Sequence, residues 1–99
     1  MIHVLAIITT KPGQREAVLK AFKANVPAVL AEAGCIEYGP AVDVDGADPA
    51  FGPDTFVVVE KWESMAALKA HAVAPHMIAY GATTKDLVAK RAVHVLTDA

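Results

Sequence analysis

The sequence predicts an α+β domain with one antiparallel sheet and a β-α-β-β-α-β order of elements. Three observations predict it. Segments dense in β-branched residues sit at the start, centre and end of the chain; apolar residues at helical spacing fill the stretches between; and no repeat, linker or low-complexity tract interrupts the 99 residues. Residues 1–99 therefore read as a single domain.

The first strand is expected over Ile2–Thr10, where both side-chain sets (Ile2, Val4, Ala6, Ile8 and Leu5, Ile7) are apolar, the mark of a strand covered on both faces. Lys11-Pro12-Gly13 breaks the run. A helix follows, with Val18, Ala21, Phe22, Val26, Val29, Leu30 and Ala33 on one side, and Pro27 is expected to bend it or divide it. Gly34 stops the helix. Cys35–Val44 reads as the second strand, with an irregularity at Gly39-Pro40, and the Gly-, Pro- and Asp-rich residues 45–54 as an exposed connection. Thr55–Trp62 is the plainest strand, placing Phe56, Val58, Glu60 and Trp62 on one face. Ser64 is the expected N-cap of a helix with Met65, Leu68, Ala72 and Val73 on its apolar side. Pro75 starts new helical structure, read as two short helices, His76–Tyr80 and Thr84–Val88, separated by Gly81. A strand over Lys90–Leu96 closes the chain.

This order is the ferredoxin-like, split-βαβ plan, whose helices cover one face of the sheet. The other face is also apolar here, and a second copy of the same sheet is the natural cover, so a homodimer is expected. Composition agrees. At 55% hydrophobic and 20% charged, so small a chain is hard pressed to hide its apolar surface alone. A net charge of −2 without a basic cluster speaks against nucleic acid as a partner. Met1–Ile8 lacks the flanks of a signal peptide and falls short of the roughly 20 residues of a membrane span, so neither export nor membrane insertion is expected. The single cysteine, Cys35, allows no internal disulfide, which fits the cytoplasm, and it reads as a small buried hydrophobe.

Four histidines are the chemical candidates, because neutral imidazole moves protons near neutral pH. His3 and His94 lie on terminal strands and are read as edge or interface residues. His71 and His76 bracket the Pro75 break, where side chains can face a cavity. Their spacing of five does not make a helical metal pair, no third donor is evident, and no metal is expected. Glu60, alone among apolar neighbours on its strand face, is either a strand-end partner of a Lys or Arg or a cavity carboxylate that orients an imidazole such as His71. Trp62 is first a core or interface residue. No phosphate loop and no nucleophile elbow are present, so nucleotide binding and covalent hydrolysis find no support.

Gly34-Cys35-Ile36-Glu37-Tyr38, then Glu60-Lys61-Trp62-Glu63-Ser64, then Ala70-His71 and Ala74-Pro75-His76-Met77 together resemble the antibiotic biosynthesis monooxygenase family. The opening Thr9-Thr10-Lys11-Pro12-Gly13 also fits, and the likeness spans nearly the whole chain. The resemblance implies a dimeric α+β barrel with a pocket between sheet and helices for flat aromatic or quinol-like molecules. It implies catalytic His71 and Glu60, substrate contacts from Trp62, His76, Phe56 and Tyr80, oxygen as co-substrate, and no cofactor. Haem fits poorly: the haem-degrading branch carries an asparagine where this chain has Ala6, and a tryptophan where it has His71. The expected function is a cofactor-independent monooxygenase acting on a quinol or related phenol. An isomerase of a small dicarbonyl compound and a non-catalytic binder of a hydrophobic metabolite are the alternatives, since one fold hosts many reactions. A phosphorylated substrate would want a basic anchor, and no cavity-facing cation is evident in the sequence.

Overall fold

The computed structural model describes all residues from Met1 to Ala99. Its elements are β1 (Ile2–Thr10), α1 (Arg15–Leu30), β2 (Cys35–Ala41), β3 (Thr55–Trp62), α2 (Met65–Ala72), α3 (Pro75–Thr84) and β4 (Val88–Thr97). The strands form one antiparallel sheet in the order β2-β3-β1-β4, which is the ferredoxin-like arrangement with one additional helix.

Strand register explains which side chains meet. Val4 pairs with Glu60 on β3 and Val95 on β4, and two residues on Ala6 pairs with Val58 and Val93. These residues share one face, because side chains alternate along a strand. Val4, Ala6, Phe56, Val58 and Trp62 from that face pack with Val18, Leu19, Phe22 and Val29 of α1 and with Tyr38 to make the core. Phe22 is its hub: its ring stacks on Tyr38 at 5.2 Å and meets Phe56 and Tyr80 edge-on at 5.7 and 6.0 Å. Residues of the opposite face, among them Leu5, Ile7, Val57, Val59 and Leu96, carry no helix; Leu5 and Leu96 are 38% and 47% exposed.

Several local expectations are corrected. Pro27 does not divide α1, which runs on to Leu30; the ring removes one backbone donor, and Val29 beyond it is fully buried in the core. Gly81 does not split α3, and the residues after Thr84 turn into β4 rather than forming another helix. The second strand ends at Ala41. Its register shift lies between Cys35 and Glu37, whereas Pro40 pairs regularly with Val58 because β2 is an edge strand that tolerates a missing donor. Ser64 does cap α2, accepting a hydrogen bond from the Ala67 amide at 3.2 Å. The buried residue of α2, however, is His71; Met65 and Val73 are exposed.

Gly34 fixes the approach of α1 to α2. Its φ of 83° is in the left-handed region, and a Cβ there would lie 2.6 Å from Ala67 Cβ. Its carbonyl accepts from the Glu63 amide at 2.8 Å, so the turn after α1 is tied to the end of β3. That turn carries Glu32.

Candidate active site

A cavity of about 530 Å³ lies between the helix-bearing face of the sheet and α2–α3. Val4, Ala6, Val58 and Val93 form its floor, while Leu68, Met77 and Tyr80 belong to its roof. Its size and apolar lining suit a flat organic molecule. Polar groups are few. At one end stand Tyr38, Glu60 and His71, and elsewhere on the wall are Thr84, Lys85, Lys90 and Arg91.

His71 is held on three sides. Its ring lies 4.6 Å from that of Trp62 and 5.4 Å from that of Tyr38, centroid to centroid. Nδ1 lies 2.8 Å from Glu32 Oε2. With Nδ1–H donating to this carboxylate, a neutral His71 carries its lone pair on Nε2, the nitrogen without a partner in the molecule. His76 Nε2 donates to the same Glu32 oxygen, also at 2.8 Å. Glu32 thus joins two imidazoles.

Glu60 does not orient His71. Its Oε1 accepts from the Trp62 indole N–H at 2.9 Å, deep in the protein. Burial pushes the Glu60 carboxyl above the usual carboxylate range, against the opposing pull of the Trp62 hydrogen bond and the His71 ring, with Glu32 adding to the rise. Glu60 therefore keeps its proton to higher pH than an exposed glutamate. Burial likewise raises the Tyr38 phenol, so it remains a neutral hydroxyl at physiological pH. Cys35 is no nucleophile: burial first, then the charges of Glu32 and Glu60, push its thiol up.

Of the sequence candidates, His71, Glu60 and Tyr80 line the cavity. Trp62 and Phe56 are fully buried and stand behind it, Trp62 bracing both His71 and Glu60 and Phe56 supporting Phe22. His76 lies outside the main cavity, against a shallow hollow beside Tyr80, and reaches the site only through Glu32. Glu32 and Tyr38 were not legible as site residues. Glu32 is 39 residues from His71 in sequence, and its only local mark is a charge among alanines just before a helix-stopping glycine. Lys85 and Arg91 were missed too, so the expectation of no basic group in the cavity is corrected.

Glu32, His71 and His76 also satisfy the composition of a metal site, their donor atoms all lying within 4.8 Å of one another. The fold thereby supplies the third donor that the sequence did not reveal. Both nitrogen–oxygen separations are 2.8 Å, however, the length of an N–H···O bond, whereas ligands around a tetrahedral zinc stand about 3.3 Å apart. The observed geometry is that of two protons shared with one carboxylate.

A ferredoxin-like sheet roofed by helices, enclosing an apolar cavity with one oriented imidazole, defines a small α+β domain with a candidate site for a small organic molecule. The chain belongs to the antibiotic biosynthesis monooxygenase family, whose sequence profile it matches over residues 1–83. It is 43% identical over 100 aligned positions to the probable quinol monooxygenase YgiN of Escherichia coli K12, covering 97% of this chain and 96% of that one. Among solved structures, PA3566 of Pseudomonas aeruginosa superposes with a TM-score of 0.83 at 26% identity, covering 99% of this chain and 93% of that one. Rv0793 of Mycobacterium tuberculosis does so with a TM-score of 0.82 at 28% identity, covering 99% and 94%.

Proposed function

We propose that this chain is a cofactor-independent monooxygenase that oxidises a quinol or closely related electron-rich phenol, working as a homodimer. The observation that carries the reading is the part-buried dyad of Glu32 and His71, with His71 at one end of an apolar, aromatic-lined cavity. His71 Nε2 takes the proton of a substrate hydroxyl, and Glu32 stabilises the imidazolium that results. The quinolate is electron-rich enough to reduce O₂ by one electron; recombination forms a carbon–oxygen bond and a peroxide. Cleavage of the O–O bond leaves one oxygen on the ring and releases the other as water. The balance is quinol plus O₂ to hydroxyquinone plus water, with all four electrons supplied by the substrate, so the scheme calls for no outside reductant. Glu60 lines the cavity at the same end as His71, and burial raises its carboxyl, so it is the group placed to give a proton to the departing oxygen.

Homodimerisation through the open sheet face is supported by its exposed Leu5 and Leu96, beside Ile7, Val57 and Val59. The family relationship and the name of the Escherichia coli relative support the choice of a quinol. Turnover of a naphthohydroquinone under ¹⁸O₂ tests the reading: one ¹⁸O in the hydroxyquinone and one in water is expected. Product labelled only from solvent water would contradict it.

A further inference from the structure

The cavity has two chemically different ends, and strand register sets their distance. Glu60 pairs with Val4 of β1, and Arg91 pairs with Ile8. Four residues of strand separate these two levels, roughly 14 Å at about 3.4 Å per residue. Between them the floor is apolar: Ala6 with Val58 on one side and Val93 on the other. Arg91 belongs to the same face as Val93, because two residues along a strand return to the same side. Arg91 and Tyr80 of the roof both line the cavity at this end.

Charge is unbalanced there. Lys85 and Arg91 bring charge to this end, whereas Lys90, paired with Thr9, belongs to the opposite face of the sheet; the only carboxylate that lines the cavity is Glu60. None of the three cations takes part in an ion pair; the pairs of the molecule are His3–Asp98, Lys61–Glu37, and Glu32 with His71 and His76. Lys85 ends α3 on the roof and Arg91 stands on the edge strand opposite, so the two approach a ligand from different layers. A planar guanidinium matches a carboxylate with two parallel hydrogen bonds.

We infer that the cavity selects an aromatic substrate bearing a carboxylate remote from its reacting hydroxyl, with Arg91 gripping the carboxylate and Lys85 adding charge. This rests on the proposed use of the His71 end for the hydroxyl. A bicyclic ring spans most of the distance between the two ends, and the long arginine side chain closes the remainder. The same anchor fixes which ring edge faces His71 Nε2.

The inference is tested by binding rather than turnover, using calorimetry with 6-hydroxy-2-naphthoate and 2-naphthol, neither of which is a quinol. The wild-type protein is expected to bind the acid at least about tenfold more tightly than the naphthol. Arg91→Gln should collapse that ratio towards one, and Lys85→Gln should reduce it by a smaller factor. Raising the salt concentration should shrink the ratio in the wild type, since a partly exposed ion pair is screened. Arg91 is exposed on an edge strand, so its replacement leaves the core intact. Equal affinities in the wild type, failure of the acid to bind, or a ratio unchanged in Arg91→Gln would overturn the inference. Failure of the oxygenase reading looks different: no oxygen uptake with quinols, while the affinity ratio and its loss in Arg91→Gln persist.

Discussion

Glu32 uses one carboxylate oxygen to accept from two imidazoles, and the energetics of the site turn on that oxygen. Its hydrogen bond fixes the tautomer of His71 and leaves Nε2 free to face the substrate, so Glu32→Gln should lower kcat by about 10²-fold. KM should change little, because Glu32 does not line the cavity. His76→Gln should have a smaller effect, acting on His71 only through the shared oxygen; steady-state kinetics of the two variants checks the order. Glu60 makes a separate prediction. Its carboxyl is raised in the folded protein, so the stability tied to its protonated form is complete below the unfolded-state pKa and is lost as pH rises through the folded one. Glu60→Gln keeps an acceptor for the Trp62 indole but cannot ionise. Its melting temperature should therefore gain on that of the wild type between pH 4 and pH 8; a constant difference would show that Glu60 does not titrate in this range. The carboxylate in the apolar strand pattern marked Glu60 as unusual from the sequence alone. Its partner was not legible, because a side chain that reaches two residues along its own strand, as Trp62 does, depends on rotamers rather than on alternation.

The turn between α1 and β2 shows how an element boundary places chemistry. Gly34, just before β2, takes a positive φ and lets the Ala67 methyl come within van der Waals range, which holds α2, and so His71, beside Glu32. Gly34→Ala should cost about 2 kcal/mol or more from the backbone conformation and the crowding together. That corresponds to a fall of very roughly 10 °C in melting temperature for a domain of this size. Thermal denaturation followed by circular dichroism checks it, and an unchanged melting temperature would show that the turn relaxes at no cost. Helix punctuation was readable in the sequence at Ser64 and Pro75, since each acts through its own backbone or hydroxyl, whereas α1 ends at Leu30, short of the expected stop at Gly34. The break expected at Gly81 and the division weighed at Pro27 do not occur. Pro27 and Gly81 are weak signals beside tertiary packing: α1 is anchored by buried Val18, Leu19, Phe22 and Val29, and α3 continues to Thr84 with Met77 and Tyr80 packed against the core.

For the whole molecule, two surfaces of one sheet have different uses. One face, with α1, α2 and α3, encloses the cavity; the other presents Leu5, Ile7, Val57, Val59 and Leu96 to its surroundings. Both sides being apolar was evident from the strand sequences, and that is why the ferredoxin-like order and the uncovered face could be anticipated together. The cavity cations could not be anticipated, because β4 reads as an alternating edge strand until register shows which of its residues share the face of Val4 and Ala6. Leu5→Arg should place a charge in the proposed dimer face and yield monomer, whereas the wild type elutes as dimer, as measured by light scattering after gel filtration. A wild-type monomer would contradict the proposed assembly. No helix is long and apolar enough to cross a membrane.

The central claim is that a protein dyad, without metal or organic cofactor, drives oxygenation in this cavity. Its most direct test is dissolved-oxygen uptake by chelator-treated protein on a naphthohydroquinone, corrected for autoxidation and run beside His71→Asn and Glu32→Gln. Full uptake by the treated wild-type protein, lost in His71→Asn and cut about 10²-fold in Glu32→Gln, is the expected result. Uptake that disappears with the chelator, or that survives intact in His71→Asn, would contradict it.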